Sequence, residues 1–324
     1  MDNQIEMVAQ ASSDQDLWTP VGDPFSGRLP DFIVIGAMKS GSTTLFEYLA
    51  RHPRLFMCTP KEPQFFSRQH VWARGFDWYR SLFAASRSDQ LLGEASTCYS
   101  RWPHFGDVPR RLHAYVPDAR FIYQMRHPIE RAYSHYGHLM EMRVAAGESV
   151  LSFDEALDAY PEIIDASLYL TQIQRFLRYY PRDRFLFMTL DAYRENLSAE
   201  LTSVQRFLEV ETLDLIAMGG PLQANPAGAA LQMKMWRKTV DSVRALPGMD
   251  MAVRLVPEPM RPRLRNWLLR SALGRRATHR DAQEHRAKLG PLTEAARQRL
   301  ADRFAGPTRE LERFLGRDLR QWLT

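Results

Sequence analysis

The sequence predicts an α/β fold, with a central and mainly parallel β-sheet flanked by helices. Short apolar runs alternate with helical patterns, and the intervals between these runs are too long for hairpins. The composition is that of an ordinary globular protein, because 45% of the 324 residues are hydrophobic and 25% are charged. A chain of this length can bury a full core, so we expect a single domain with a helical cap over residues 31–324.

The predicted elements begin after a polar arm. Residues 1–30 contain three prolines and no sustained hydrophobic period, which indicates a flexible leader or an arm laid over the surface. The apolar run at residues 32–35 predicts a strand that is buried on both faces and ends at Gly36. After a short polar loop, residues 44–50 predict a helix that ends before Pro53.

The rest of the chain continues the alternation of strands and helices. Further strands are predicted at 55–58, 91–93, 121–125 and 185–188, and helices at 129–142, 167–179, 199–208 and within 291–322. Residues 215–265 are rich in Pro, Gly and Met and less periodic, so we expect them to form the cap. This order implies crossover connections between parallel strands.

The charge distribution is uneven. The net charge is +5, and residues 261–324 hold 16 Lys and Arg against 7 Asp and Glu. The arginines alternate with apolar residues at helical spacing, so they are interpreted as solvated helix faces, and no nucleic-acid partner is expected. The basic segment 261–270 also fits a helix that lies on anionic lipid, which is a second interpretation of it.

Several classes of protein are not expected. The two cysteines, Cys58 and Cys98, do not suffice for a disulfide scaffold, and no CxxC pair indicates a zinc site. No run of about 18 uncharged apolar residues indicates a spanning helix. Residues 1–16 are acidic and contain no apolar core of a secretory signal, so a cytoplasmic location is expected.

The most informative segment is the loop between the first predicted strand and the first predicted helix, residues 36–44, with the sequence GAMKSGSTT. Glycines at 36 and 41 allow tight backbone geometry, and the start of a helix presents unpaired N–H groups that attract anions. Lys39 adds a full positive charge. The candidate hydroxyl donors of this predicted anion site are Ser40, Ser42, Thr43 and Thr44.

This loop is P-loop-like but differs from the loop of nucleotide triphosphatases. In GxxxxGK(S/T) the lysine follows the second glycine, whereas here Ser42 occupies that position and Lys39 lies inside the loop. No later strand ends in a cluster of acids that would hold Mg²⁺, so we expect a phosphate-like ligand without metal. A P-loop kinase or nucleotide hydrolase and a non-catalytic nucleotide or anionic-lipid binder remain alternatives.

The loop resembles that of sulfotransferases that use 3′-phosphoadenosine 5′-phosphosulfate, in the branch of heparan sulfate sulfotransferases and their bacterial homologues. In that family, a loop of the pattern G-x-x-K-(S/G)-G-(S/T)-(S/T) binds the 5′-phosphosulfate. The resemblance implies that Lys39 touches the bridging oxygen and the transferred sulfuryl group. It also implies that the donor is bound by Ser40, Gly41, Ser42, Thr43 and Thr44.

A second segment matches the family pattern of R-x-P followed by a serine eight residues after the arginine. Arg126 and Pro128 open a predicted helix and Ser134 lies two turns into it, while His127 replaces the usual acid or amide. A guanidinium and a hydroxyl placed in this way can converge on one phosphate. The resemblance makes Arg126 and Ser134 ligands of the 3′-phosphate.

A third segment, Lys61–Glu62 followed by PQFF, matches the family pattern K-E-x-x-(F/Y)-F. A hydroxyl acceptor is a poor nucleophile until a base takes its proton, and the resemblance assigns that role to Glu62. Weaker matches add Tyr169 near the nucleotide, and Arg286 and Lys288 in a late basic loop that closes over the 3′-phosphate.

Three further features of the sequence concern the acceptor and metal binding. Ala95 stands where some relatives carry a lysine near the acceptor, which argues against a polyanionic sugar acceptor. His135 and His138 are one helical turn apart but lack a third ligand, so no metal is expected. The apolar character of 215–265 indicates an apolar acceptor wall.

Together, these segments predict a sulfotransferase. Attack would be in line, with Glu62 as base and Lys39 stabilising the leaving phosphate oxygen. The acceptor would be a hydroxylated small molecule, lipid or sugar, and the co-product adenosine 3′,5′-bisphosphate.

Overall fold

The computed structural model describes residues 18, 20–24, 26–222, 289 and 292–323. The strands are β1 Phe32–Gly36, β2 Leu55–Met57, β3 Leu91–Ala95, β4 Arg120–Met125 and β5 Phe185–Thr189. The helices are α1 Ser42–Leu49, α2 Gln69–Trp72, α3 Gly75–Ser81, α4 Val108–Tyr115, α5 Pro128–Ala146, α6 Phe153–Ala159, α7 Glu162–Asp165, α8 Tyr169–Leu177, α9 Leu190–Glu195, α10 Leu197–Phe207 and α11 Glu294–Leu315. Short 3₁₀ turns lie at Thr97–Ser100, Arg182–Arg184 and Arg320–Trp322.

The five strands form one parallel sheet in the order β2-β3-β1-β4-β5. This arrangement confirms the predicted fold class. β1 lies in the middle of the sheet, between β3 and β4, and the order along the sheet reverses on its two sides. In open parallel sheets, ligands bind at the carboxyl ends of the strands near such a point. The loop that follows β1 therefore lies where a binding site is expected.

The core lies on both faces of the sheet because alternate side chains of each strand point to opposite sides. Along β1, Ile33 and Ile35 join one buried cluster, whereas Phe32 and Val34 join another. The first cluster is mainly aromatic, and its centre is Phe65, whose ring stacks on Tyr79 at a centroid distance of 4.4 Å. This packing fixes the segment after β2 against β3 and α3.

The sheet is tightly packed at Gly93 in β3. A Cβ atom there would lie 2.2 Å from the ring of Phe32 and 2.7 Å from the sulfur of Met57. Such distances are sterically forbidden, so only glycine allows the three strands to approach this closely.

The described residues fall into two compact units. The first contains those within 1–132, 161–224 and 297–324, and the second those within 133–160 and 225–296. The division into an arm and one domain over 31–324 stays a prediction. Of the predicted arm, Trp18 contacts Trp72 at a ring distance of 5.7 Å, and the carbonyl of Val21 accepts a hydrogen bond from the Phe76 amide.

Several predictions lie outside the described residues. They concern residues 1–17, most of the predicted cap at 215–265, the basic segment 261–270, and both Arg286 and Lys288. Among the helices that the structure describes, none is long and apolar enough to cross a bilayer.

Candidate functional site

The 36–44 loop connects β1 to α1 through a tight backbone path. Lys39 and Gly41 have φ angles of 69° and 92°, both in the left-handed region, and Gly41 is the N-cap of α1. The amide of Ala37 donates to the carbonyl of Gln124 at 2.6 Å, which ties the loop to β4. The sequence folds this way because glycine at 41 adopts left-handed geometry without strain.

The N-terminus of α1 and the groups beside it leave several hydrogen-bonding atoms without partners among the described residues. Its first turn contains no acidic residue, and no side chain caps it. The Ser40 hydroxyl and the Gln124 amide are fully buried and have no hydrogen-bond partner in the part of the chain that the structure describes. The Gln124 Nε2 atom lies 3.5 Å from the Cβ position of Gly41. Buried polar groups are nearly always satisfied, so these atoms point to a ligand with oxygen atoms.

Lys61 joins the loop to the segment after β2. Its Nζ donates to Thr43 Oγ1 at 3.1 Å, to Ser42 Oγ at 3.5 Å and to Glu62 Oε1 at 3.1 Å. The Lys61 side chain is only 19% exposed. From the sequence, this lysine was interpreted only as part of a motif. The signal for its position was that it follows β2, whose carboxyl end lies at the same edge of the sheet as that of β1.

Glu62 lies in the 59–66 turn with a φ of 59°, a left-handed conformation. Its Oε1 accepts from Lys61 and also from Thr97 Oγ1 at 3.2 Å. The side chain is 30% exposed. These contacts place the predicted base next to the loop that holds the predicted anion site.

Arg126, directly after β4, also lies beside the loop. Its Nη1 donates to the carbonyl of Lys39 at 3.5 Å, and its Nη2 pairs with Glu130 at 3.5 Å. Burial lowers the pKa of Arg126, an effect that the nearby Glu130 opposes. Glu130 also binds Arg297 at 3.1 Å. This chain of ion pairs was not predicted, because Arg297 is far from Arg126 and Glu130 in sequence.

Tyr169 is placed behind Arg126. Its hydroxyl donates to the carbonyl of Arg126 at 2.6 Å, and burial raises the pKa of Tyr169 to about 12. Its ring lies 6.0 Å from that of Trp322, whose Nε1 donates to Asp191 at 2.7 Å. These contacts make Tyr169 a support for the backbone of Arg126, and nucleotide contact by Tyr169 stays a prediction.

Two further buried groups near the site were not predicted. Arg131 is fully buried and donates to Ser167 Oγ, which in turn donates to the carbonyl of Pro128 at 3.0 Å. Glu94 is fully buried in β3 and accepts from the hydroxyl of Tyr79. Burial raises the pKa of Glu94 to about 7.

Ser134 lies in α5 and belongs to the second unit, so its pairing with Arg126 stays a prediction. No group of three or more His, Cys, Asp or Glu side chains that could hold a metal ion occurs within 18, 20–24, 26–222, 289 and 292–323.

Comparisons with known proteins agree with this geometry. A family model described as a sulfotransferase domain matches residues 29–219. Human heparan sulfate glucosamine 3-O-sulfotransferase 6 is 31% identical over 189 residues, which cover 57% of this chain and 54% of that protein. Human bifunctional heparan sulfate N-deacetylase/N-sulfotransferase 3 is 30% identical over 214 residues, which cover 60% of this chain and 24% of that protein.

The match therefore spans about half, or less, of the length of these curated relatives. Among solved structures, a sulfotransferase from Alicyclobacillus acidocaldarius superposes with a TM-score of 0.52 at 24% identity. The superposition covers 67% of this chain and 94% of that one, and it shows a common fold.

Proposed function

The chain belongs to the family of sulfotransferase domains, and from this premise we propose that it transfers a sulfuryl group from 3′-phosphoadenosine 5′-phosphosulfate to a hydroxyl acceptor. The observation that carries the proposal is the position of Lys61. It contacts Thr43 in the anion-binding loop and Glu62 in the next turn. One cation thus links the predicted phosphate site to the predicted base.

The residues of the 36–44 loop fit the 5′-phosphosulfate. The N–H groups at the start of α1, the buried Ser40 hydroxyl and the Gln124 amide supply hydrogen-bond donors for its oxygens. Lys39 stabilises the negative charge that develops on the leaving phosphate oxygen. Arg126 beside the loop supplies a second cation, which we assign to the 3′-phosphate together with Ser134.

Glu62 performs the proton transfer in this proposal. Its hydrogen bonds from Lys61 and Thr97 both use Oε1, so we assign Oε2 to the acceptor hydroxyl. Oε2 takes the hydroxyl proton while the acceptor oxygen forms a bond to sulfur. The bond between sulfur and the bridging phosphate oxygen breaks, its electron pair stays on that oxygen, and adenosine 3′,5′-bisphosphate leaves.

The test is incubation of the full chain with radiolabelled sulfuryl donor and a panel of hydroxylated small molecules, lipids and sugars, with EDTA present. Release of adenosine 3′,5′-bisphosphate together with labelled product supports the proposal. In a parallel assay with ATP and Mg²⁺ in place of the sulfuryl donor and EDTA, ATP turnover would instead indicate a kinase or nucleotide hydrolase. Tight bisphosphate binding without transfer to any acceptor would indicate a nucleotide binder.

The class of acceptor and the location of the reaction are also proposals. We propose that the acceptor is a small or lipid-linked hydroxyl compound, because Ala95 supplies no positive charge toward a polyanionic sugar. We also propose that the reaction takes place in the cytoplasm. The acceptor panel tests the first point. Fractionation of cells that express the chain tests the second.

A further inference from the structure

Lys61 has three hydrogen-bond partners and no step of its own in the proposed reaction. Its side chain is only 19% exposed. Its Nζ donates to Thr43 Oγ1 and to Glu62 Oε1, both at 3.1 Å, and to Ser42 Oγ at 3.5 Å. The first two bonds have ordinary lengths, and the third is long. The ammonium is therefore bound most closely to Thr43 and Glu62.

The number of hydrogens on this ammonium limits what it can still contact. A lysine ammonium carries three hydrogens and no lone pair. These three hydrogens match the three oxygens of Thr43, Ser42 and Glu62. None is left for an oxygen atom of the sulfuryl donor. An effect of Lys61 on the donor would therefore pass through its partners.

The bonds from Lys61 set the direction of two hydroxyl groups. A hydroxyl that accepts from an ammonium turns a lone pair toward it, so its single hydrogen points to another partner. Among the described residues, neither the Ser42 nor the Thr43 hydroxyl donates a hydrogen bond. Both residues open α1, whose N–H groups attract anions. Their hydrogens are thus available to an anion at this helix end.

On the other side, Lys61 holds one oxygen of the Glu62 carboxylate. Oε1 accepts from Lys61 and also from Thr97 Oγ1 at 3.2 Å. Because both bonds go to the same oxygen, they leave Oε2 for the acceptor hydroxyl. The Glu62 side chain is 30% exposed, so it has room to rotate once one of these bonds is lost. The ammonium supplies one of the two bonds that align the base.

We propose that Lys61 is a positioning residue with two separable effects. It turns the hydroxyl hydrogens of Thr43 and Ser42 toward the 5′-phosphosulfate, and it holds Oε1 of Glu62 so that Oε2 faces the acceptor. The inference rests on the proposed function, because it uses the donor and the base assigned there. One ammonium thereby adjusts the donor site and the base together.

The first experiment is calorimetric titration of Lys61→Met with adenosine 3′,5′-bisphosphate, which carries the 5′-phosphate and needs no acceptor. Methionine keeps an apolar stem and removes the ammonium. The affinity should fall about fivefold, because the two hydroxyls no longer direct their hydrogens to the phosphate. The matched control is Arg80→Met in α3, which removes a cation that is 14% exposed and pairs with Asp77. It should bind as the unsubstituted chain does.

A double-variant cycle separates positioning from direct contact. In a chain with Ser42→Ala and Thr43→Val, Lys61→Met should cause no further loss of affinity, because the hydroxyls through which it acts are gone. A further loss of about fivefold in that background would show direct contact with the ligand and would overturn the proposal. Unchanged affinity in Lys61→Met alone would overturn it too.

If the affinity of that background is too low to measure, Thr43→Val alone replaces it. The loss caused by Lys61→Met should shrink there to about twofold, because only the long bond to Ser42 remains. An undiminished loss would again indicate direct contact.

The effect on the base is measured by turnover with an acceptor found in the panel. At saturating donor, Lys61→Met should lower kcat about tenfold, because the base loses one of the two bonds that align it. In the Glu62→Gln chain, Lys61→Met should lower kcat no further, while the affinity for adenosine 3′,5′-bisphosphate still falls. An equal fall of kcat in both backgrounds would contradict the effect on the base.

Lys61→Cys provides a chemical rescue. Alkylation of this cysteine with bromoethylamine restores an ammonium at nearly the same distance from the backbone, and both natural cysteines, Cys58 and Cys98, are buried. The alkylated chain should recover most of the lost affinity and kcat, and no recovery of either would contradict the proposal. If Lys61→Met does not fold, this comparison before and after alkylation decides.

The failure of this inference and the failure of the proposed function are distinguishable. If adenosine 3′,5′-bisphosphate binds but no acceptor is sulfated, the function fails, and the affinity cycle still decides whether Lys61 directs the two hydroxyls. If transfer occurs and Lys61→Met matches the unsubstituted chain in affinity and kcat, only the inference fails. If the bisphosphate does not bind to the unsubstituted chain, both fail.

Discussion

The 36–44 loop and the 59–66 turn lie side by side at the carboxyl edge of the sheet, yet they satisfy their polar groups in opposite ways. In the loop, the Ser40 hydroxyl and the Gln124 amide beneath it are buried without a partner in the described structure. In the turn, the amides of Gln64 and Phe66 are bonded by Ser96 and Tyr99. The turn is thus held by hydrogen bonds within the protein, whereas the buried groups of the loop fit the anion that we propose it binds.

The loop and the turn therefore differ in how much free energy a bound ligand can recover. An unsatisfied buried polar group costs about 1–3 kcal/mol, which an incoming phosphate oxygen can recover. A base that removes a proton must instead be in place before the acceptor arrives. We therefore expect the loop to gain stability when the proposed anion binds, whereas Ser96 and Tyr99 hold the turn before binding.

The largest expected effect comes from the two predicted catalytic residues. Lys39→Ala and Glu62→Gln should each lower turnover on the order of a hundredfold or more, because each removes a group that acts in the transition state. The affinity for adenosine 3′,5′-bisphosphate distinguishes the turn from the loop, because Glu62→Gln should leave this affinity unchanged. Single-turnover kinetics and calorimetry measure both quantities.

The matched control is Glu47→Gln, on the exposed face of α1. It should behave as the unsubstituted chain. Full activity of Lys39→Ala or Glu62→Gln would remove that residue from its role.

A second prediction concerns Arg126. Arg126→Ala should weaken binding of adenosine 3′,5′-bisphosphate about 10- to 100-fold, because hydrogen bonds to charged groups contribute about 1.5–3 kcal/mol. Binding of adenosine 5′-monophosphate, which lacks the 3′-phosphate, should change little. Arg54→Ala is the control, since Arg54 is exposed and pairs with Asp89. An equal loss for both nucleotides would show that Arg126 does not contact the 3′-phosphate.

A third prediction concerns the pH dependence of the free energy of unfolding. The folded-state pKa of Glu94 is raised from 4.5 to about 7, so the folded protein keeps this proton where the unfolded chain loses it. The free energy of unfolding should therefore fall as pH rises from about 4.5 to about 7, by on the order of 1–3 kcal/mol.

Glu94→Gln should remove this part of the pH dependence, because glutamine does not titrate. Chemical denaturation of both chains at a series of pH values measures it. A slope between pH 4.5 and 7 that is identical in the two chains would contradict the assignment.

The smallest expected effect comes from a pair of serines, one in the loop and one directly after the turn. Ser40→Ala should weaken binding of adenosine 3′,5′-bisphosphate about fivefold and leave the free chain no less stable, since its buried hydroxyl has no partner to lose. Ser67 donates to the Gln64 carbonyl at 3.1 Å. Ser67→Ala should lower stability by about 1 kcal/mol and leave affinity unchanged. The reverse pattern would refute the contrast between loop and turn.

The parts of this account that the sequence could predict are local. β1 and the loop after it follow from one apolar run, two glycines and the hydroxyls that open α1, and the parallel order follows from the long intervals between strands. The helices at Gly75–Ser81 and Val108–Tyr115 were missed, although Val108, Leu112 and Tyr115 recur at helical spacing.

The contacts that the sequence could not predict join distant segments. Lys61 reaches Thr43 only because β2 and β1 end at the same edge, and Glu94 meets Tyr79 because α3 packs under β3. No periodic pattern encodes such pairs. The family resemblance assigned Glu62 the role of base, which stays a prediction, and gave no role to Glu94 or Lys61.

The measurement that tests the central claim most directly is calorimetric titration of the chain with adenosine 3′,5′-bisphosphate in the presence of EDTA. We expect adenosine 3′,5′-bisphosphate to bind without any divalent ion and at least tenfold more tightly than adenosine 5′-monophosphate. We expect Arg126→Ala to lose this preference. Equal affinity for the two nucleotides, or binding that appears only when Mg²⁺ is added, would contradict it.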